Sequence, residues 1–211
     1  MSAHASLDLR ALARARRNPI AKKLGCLSEE DCERLARYYE DNQGENILLE
    51  AMQDRVSRGL EIENPAYLSE NYAQVALQSQ VATEECVSSN PNLDNWLPLD
   101  DNLVALITDQ IGPAYRMRLS CLAEGAEIPR HVDDPRQTRV IAVLRGSHEF
   151  TFHLRGRDQA IAMTRGELWQ VNTAFEHSVR NTGKISRIAL LANLAKQAAQ
   201  TGPDGGVGLA L

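Results

Sequence analysis

Apolar positions recur at three- and four-residue spacing in the first part of this 211-residue chain and alternate in the second, with the change near residue 113. Before it, the spacing predicts helices over Leu7–Arg17, stopped at Asn18-Pro19, and over residues 28–41, Asn46–Leu60, Ser69–Glu85 and Asp100–Ile111, the last closed by Gly112-Pro113. The second of these opens on Ser28 with Asp31 three residues on, a capping-box pattern with Asp in place of Glu. Residues 90–98 carry Pro and Asn punctuation and read as a loop.

After residue 113 the pattern is of short strands, at 115–122, 127–133, 138–145, 148–155, 158–163, 167–171, 176–181 and 185–194. The breaks between them are Glu124-Gly125, Asp134-Pro135, Gly146-Ser147, Arg155-Gly156-Arg157, Arg165-Gly166 and Thr182-Gly183. Eight short strands in about 80 residues predict a double-sheet jelly roll. The fold class is therefore α+β, a double-stranded, cupin-like β-helix with an N-terminal helical layer on one sheet. Residues 185–194 fit a strand between two apolar layers, with Ile188, Leu190 and Leu194 on one face and Arg187, Ala189 and Leu191 on the other. The expected organisation is one structural domain: residues 1–112 helical and packed on the roll, 113–198 the roll, and 199–211 a flexible Gly-rich tail.

Composition narrows the class. Apolar residues make up 43% and charged residues 24%, which is ordinary for a globular protein, and the net charge of −5 disfavours nucleic acid as a partner. The basic, Ala-rich stretch Leu9–Arg17 is read as a surface helix in preference to a transit peptide. The four cysteines, Cys26, Cys32, Cys86 and Cys121, form no CxxC pair and point to reduced thiols, hence a cytoplasmic location. No apolar run has the length of a membrane span. A homodimer is compatible with all of this.

The chemistry concentrates in His131-Val132-Asp133 and a distant His177. In an extended chain residues i and i+2 point the same way, roughly 6–7 Å apart, so both can converge on one ion. A second strand must then supply the third ligand. Two imidazoles and one carboxylate on one face leave three positions open, the arrangement that suits Fe(II) oxygen chemistry. Their ligating atoms should lie within roughly 3–4 Å of one another. His4 is near the terminus, which leaves His148 and His153 as competitors; His153 faces away from Phe150 and Phe152, with Glu149 and Thr151.

Arg187 stands ten residues after His177 within an otherwise apolar strand of Ile185, Ile188, Ala189, Leu190 and Leu191. A charge there needs a partner, and a planar guanidinium suits a carboxylate. If 176–181 and 185–194 form a hairpin, a two-residue loop would turn Arg187 away from the face of His177. An odd-length loop or bulge using Gly183 in the left-handed region would bring it inward.

These residues resemble a known group. Ser120-Cys-Leu-Ala-Glu-Gly125, His131-Val-Asp133, Gly166-Glu-Leu-Trp-Gln170, Phe175-Glu-His177 and Arg187 are similar to the Fe(II)/2-oxoglutarate oxygenases, in the aspartyl/asparaginyl β-hydroxylase and proline-hydroxylase branch. The similarity spans Ser120–Leu194, about a third of the chain. It implies a hydroxylase whose His131, Asp133 and His177 hold Fe(II) and whose Arg187, assisted by Ser120, holds 2-oxoglutarate. Oxygen is consumed, and succinate and CO2 are released. Some aspartyl hydroxylases of this branch lack the acidic ligand, whereas this chain has Asp133, like the proline-type members. Related halogenases carry a small residue there, so Asp133 argues against halogenation.

The substrate is expected to be an amino acid or an amino-acid-derived molecule, free, peptidyl or carrier-bound. Arg116, Arg118 and Ser120 alternate onto one face of their strand and Arg139 opens the next one, so an inward set of guanidiniums would suit a substrate carboxylate, with Arg118 preferred. Trp169 is a candidate pocket wall. The main alternative is a cupin-type metal enzyme or sensor. Gly125 with His131, and His177 with Asn181, fit its spacings, but it usually has a second His where Asp133 stands and does not need Arg187. A non-catalytic binding module is disfavoured by the intact ligands, and a nucleic-acid demethylase by the acidic whole.

Overall fold

The computed structural model describes residues 18–42, 71–76, 114–133 and 138–194, together with 13, 57–59, 109 and 111. In chain order the elements are β1 (Ala21–Cys26), α1 (Glu29–Asn42), β2 (Tyr72–Ala76), β3 (Ala114–Leu122), β4 (Glu127–His131), β5 (Arg139–Arg145), β6 (Ser147–Leu154), β7 (Arg157–Thr164), β8 (Glu167–Val171), β9 (His177–Arg180) and β10 (Arg187–Leu194). The eight strands expected after residue 113 are β3 to β10. Among the described residues all strand pairing is antiparallel, in a six-stranded sheet of order β1-β8-β5-β10-β3-β2 and a four-stranded sheet of order β4-β9-β6-β7.

The two sheets face each other across one apolar layer. Leu122, Ile141, Val143, Val171, Ala189 and Leu191 of the larger sheet meet Ile128, Phe150, Phe152, Met163 and Val179 of the smaller. The opposite face of the larger sheet carries Leu119, Val140, Ala142, Leu144, Ile188 and Leu190 against α1. Strand β10 thus reads as apolar on both faces because it lies between two layers, as its sequence implied. Helix α1 buries Cys32, Leu35, Ala36 and Tyr39, an i, i+3, i+4, i+7 stripe. Ser28 caps it, its hydroxyl accepting the Asp31 backbone N–H at 3.0 Å, as the sequence pattern predicted. Arg145 pairs with Glu40, and Arg165 with Glu29 and Glu33, fastening the helix to the sheet.

The wholly helical reading of residues 1–112 needs correction. β1 and β2 form the two edges of the larger sheet, flanking β8 and β3. The expected helix Ser69–Glu85 is overturned at Tyr72–Ala76, where pairing with β3 overrides a spacing that reads as helical. β1 was not legible because it is an exposed edge without apolar alternation; its Lys22 and Lys23 are of the kind that protect edges. The division near residue 113 is therefore a change of sequence pattern within one sheet. The expected helices Leu7–Arg17, Asn46–Leu60 and Asp100–Ile111, the loop at 90–98 and the tail at 199–211 lie outside the described residues, apart from 13, 57–59, 109 and 111. Among the described residues Cys26, Cys32 and Cys121 are free thiols, and no helix is long and apolar enough to cross a membrane.

The expected hairpin of β9 with β10 is not formed. β9 pairs with β4 and β6 in the smaller sheet, and β10 with β3 and β5 in the larger. The segment between them crosses from sheet to sheet, and Gly183 is not among the glycines with positive φ. Asn181 shapes the crossing. Its Nδ2 lies 2.8–3.0 Å from the carbonyls of Leu122, Ala123 and Ile185, and its Oδ1 accepts the Gly183 N–H at 3.0 Å.

Candidate metal centre

The His-x-Asp segment ends β4. A register shift between Ile128 and His131 sets His131 directly opposite His177 of β9. The ring centroids are 4.2 Å apart, and His177 stacks on Phe150 at 5.0 Å and 8°. Asp133 follows just past the strand, its backbone N–H donating to the Thr173 carbonyl at 2.9 Å. One ligand atom from each of His131, Asp133 and His177 lies within 4.8 Å of the others. This is somewhat wider than expected, and Asp133 divides itself between His131 at 3.9 Å and Arg139 at 3.0 Å.

Both imidazoles are held in one tautomer. His131 Nδ1 lies 2.7 Å from the Pro129 carbonyl and His177 Nδ1 lies 2.9 Å from the Phe175 carbonyl. A carbonyl only accepts, so each Nδ1 carries the hydrogen and each Nε2 keeps its lone pair for a metal. Burial lowers the His177 pKa to about 4, and the neighbouring His131 acts in the same direction. Burial works to raise Asp133, but Arg139, then His177, His131 and Arg118, overcome it and hold the carboxylate at about 2. Two imidazoles with Nδ1 engaged by carbonyls, together with one ionised carboxylate, are the donor set a divalent iron site needs.

Around the three lies a cavity of roughly 470 Å³ including its open mouth, lined also by Arg118, Arg139, Thr173, His148, Phe150 and Arg187. Arg187 is 2% exposed and points into the roll. Its Nη1 donates to Ser120 Oγ at 2.7 Å and reaches the Ser120 carbonyl at 3.4 Å. Arg118 shares the inner face of β3 with Ser120. Arg139 is oriented by Asn193, whose Oδ1 accepts its Nε–H at 2.8 Å. Among the described residues the cavity is lined by three guanidiniums and one carboxylate, a balance that favours anions.

Two substrate candidates stand elsewhere. Trp169 does not line the cavity; its indole N–H donates to Glu167 at 3.3 Å, and its ring packs against the layer between the sheets. The side chain of Arg116 lies outside the described residues. His153 faces out of the roll as expected, between Ser178 and Asp158, each at 3.0 Å. Sequence reasoning passed over Thr173 and Asn193. Thr173 lies in a loop that carries no pattern, whereas Asn193 continues the alternation of Arg187, Ala189 and Leu191 along β10, a signal that could have found it.

The fold and this cluster define a class: a two-sheeted, cupin-like roll with two histidines and one aspartate on its inner surface. Residues 99–197, 99 of the 211, match the family described as Aspartyl/Asparaginyl beta-hydroxylase. The resemblance read from the sequence is thereby borne out, and this part of the chain is similar to that hydroxylase family. No curated protein matches the chain.

Among solved structures, an oxidoreductase of the 2OG-Fe(II) oxygenase family from Burkholderia pseudomallei is 21% identical over 44% of this chain and 50% of that one, with a TM-score of 0.34. An oxalate oxidase in complex with the substrate analogue glycolate is 14% identical over 61% and 54%, at 0.38. The cupin domain of Drosophila melanogaster CENP-C is 7% identical over 37% and 59%, at 0.33. The chain spans between half and about two thirds of the length of the first three solved structures it matches. At these TM-scores the structural neighbours carry no argument about activity.

Proposed function

We propose that this protein is an Fe(II)- and 2-oxoglutarate-dependent dioxygenase that hydroxylates an unactivated C–H bond of an amino acid or amino-acid-derived substrate. The observation that carries the reading is the pairing of His131 with His177, both with Nε2 free, beside an ionised Asp133. His131, Asp133 and His177 would hold Fe(II), which with 2-oxoglutarate and O2 supplies the oxidising power, releasing succinate and CO2. The chain's own contributions are binding and orientation. Arg187, braced by Ser120, receives the far carboxylate of the co-substrate deep in the roll. Arg139 holds the Asp133 oxygen turned from His131 and so fixes the carboxylate. Arg118 supplies the charge for a substrate carboxylate, and Ile128, Phe150, Val179 and Leu191 keep the cavity walls apolar.

The test is succinate formation with iron, 2-oxoglutarate and a panel of amino acids and their derivatives. Substrate-dependent succinate is the expected result, with no chlorinated product when chloride is added. A protein that binds iron but leaves 2-oxoglutarate unchanged with every substrate would be the cupin-type metal protein instead.

A further inference from the structure

His148 has no part in the reading above, and its surroundings are unusual. It is 1% exposed, and neither ring nitrogen has a hydrogen-bond partner. Buried polar groups are normally paired, and leaving the bond unmade is costly. An apolar residue would fill the same space without that penalty. The imidazole is not a fourth member of the His131, Asp133 and His177 cluster. It lines the same cavity, at the Arg187 end.

The backbone explains how the two meet. Gly146, with φ 72°, turns β5 into β6, and a Cβ there would lie 3.4 Å from both the Arg187 Cα and the Ser186 carbonyl. β6 therefore starts hard against the start of β10, although the two strands belong to different sheets. His148 enters the roll from the smaller sheet, one pleat repeat before Phe150, and Arg187 enters from the larger. Along β6 it stands four residues, about 13 Å at the Cα level, from Phe152, the residue opposite His177. Burial, and after it the Arg187 charge, keeps the ring neutral, with one N–H to donate.

We propose that His148 is a second donor to the far carboxylate of the bound 2-oxo diacid, gripping from the smaller sheet the group that Arg187 pairs from the larger. A carboxylate has enough lone pairs for both, and its arrival would satisfy the imidazole. Two donors from opposite sheets fix the depth of that carboxylate. His148 thus selects a five-carbon 2-oxo diacid over shorter and longer ones, where Arg187 alone would attract any anion. This rests on the co-substrate reading proposed above.

The experiment titrates 2-oxoglutarate, the four-carbon oxaloacetate and the six-carbon 2-oxoadipate calorimetrically into oxygen-free, Mn(II)-loaded protein. Wild type, H148L, H148F and H148N are compared, each with its metal-free Tm. H148L and H148F should weaken 2-oxoglutarate at least about tenfold, the worth of one hydrogen bond to a charged group. They should also narrow its advantage over the other two diacids and leave the Tm unchanged or higher. H148N, which keeps a donor, should recover part of both effects. Unchanged affinity and unchanged chain-length preference in H148L and H148F, with wild type binding normally, overturn the role of His148 alone. Wild type that does not bind 2-oxoglutarate overturns the co-substrate reading and this inference with it.

Discussion

His131 on β4 and His177 on β9 are direct cross-strand partners with ring centroids 4.2 Å apart, although 46 residues of chain separate them. Each donates its Nδ1 hydrogen to a carbonyl two residues back, and the two free Nε2 atoms meet beside Asp133. The sheet, not a local motif, assembles the centre.

Asp133→Ala should lower metal affinity by at least about 100-fold, in line with the loss of one ligand of three, and abolish turnover. The same change takes from Arg139 the carboxylate it pairs with at 3.0 Å, so the metal-free protein should also lose about 1–3 kcal/mol. Metal titration and urea denaturation read the two effects separately. Retained tight metal binding would remove Asp133 from the ligand set.

Arg187→Leu should raise the 2-oxoglutarate Kd by about 100-fold or more, the usual result of truncating one partner of a buried charge pair. Metal binding should change little, because Arg187 holds Ser120 and not the ligands. Calorimetry with Mn(II) and then 2-oxoglutarate measures both, and a parallel loss of the two affinities would contradict separate roles.

Asn181→Ala should destabilise the fold by about 2–4 kcal/mol, since it leaves the carbonyls of Leu122, Ala123 and Ile185 without their shared donor. Because Asn181 sets the crossing from β9 to β10, the variant should lose 2-oxoglutarate affinity more than metal affinity. A variant as stable as wild type in thermal melts would mean that the crossing is held by other contacts.

Stability of the metal-free protein should fall as pH drops from about 6.5 to 4. The folded state keeps His177 neutral down to about 4, while the unfolded chain takes up the proton near 6.5, so the unfolded state binds more protons across that window. A shift of that size corresponds to about 3 kcal/mol at the acid end, and His148 acts in the same direction. Asp133, depressed to about 2, contributes stability that is present above its ordinary value and lost only as pH falls through 2, so it does not offset the loss above pH 4. Denaturation of chelator-treated protein at pH 7 and pH 4.5 measures the difference, and equal stability at both would rule out a neutral buried His177.

The sequence by itself determined eight strands of the roll, the capped helix α1, the two-faced character of β10 and the residues of the His-Asp-His cluster. These follow from alternation, turn glycines, a capping pattern and i, i+2 geometry, all of them local. Tertiary structure decided the rest. Edge strand β1 carries no buried alternation, the spacing around β2 reads as helical, and only their neighbours β8 and β3 make them strands. β9 and β10, consecutive in sequence, belong to opposite sheets, so Arg187 reaches the inner face by a crossing that no hairpin rule describes. Trp169 shares the inner face without reaching the cavity, because alternation gives a side chain's direction but not its position along the roll. His148 and Thr173 meet the site only because two sheets close over it. Local pattern fixes which way a side chain points; which strands face each other is set by burial of the whole apolar layer, a property no single segment contains.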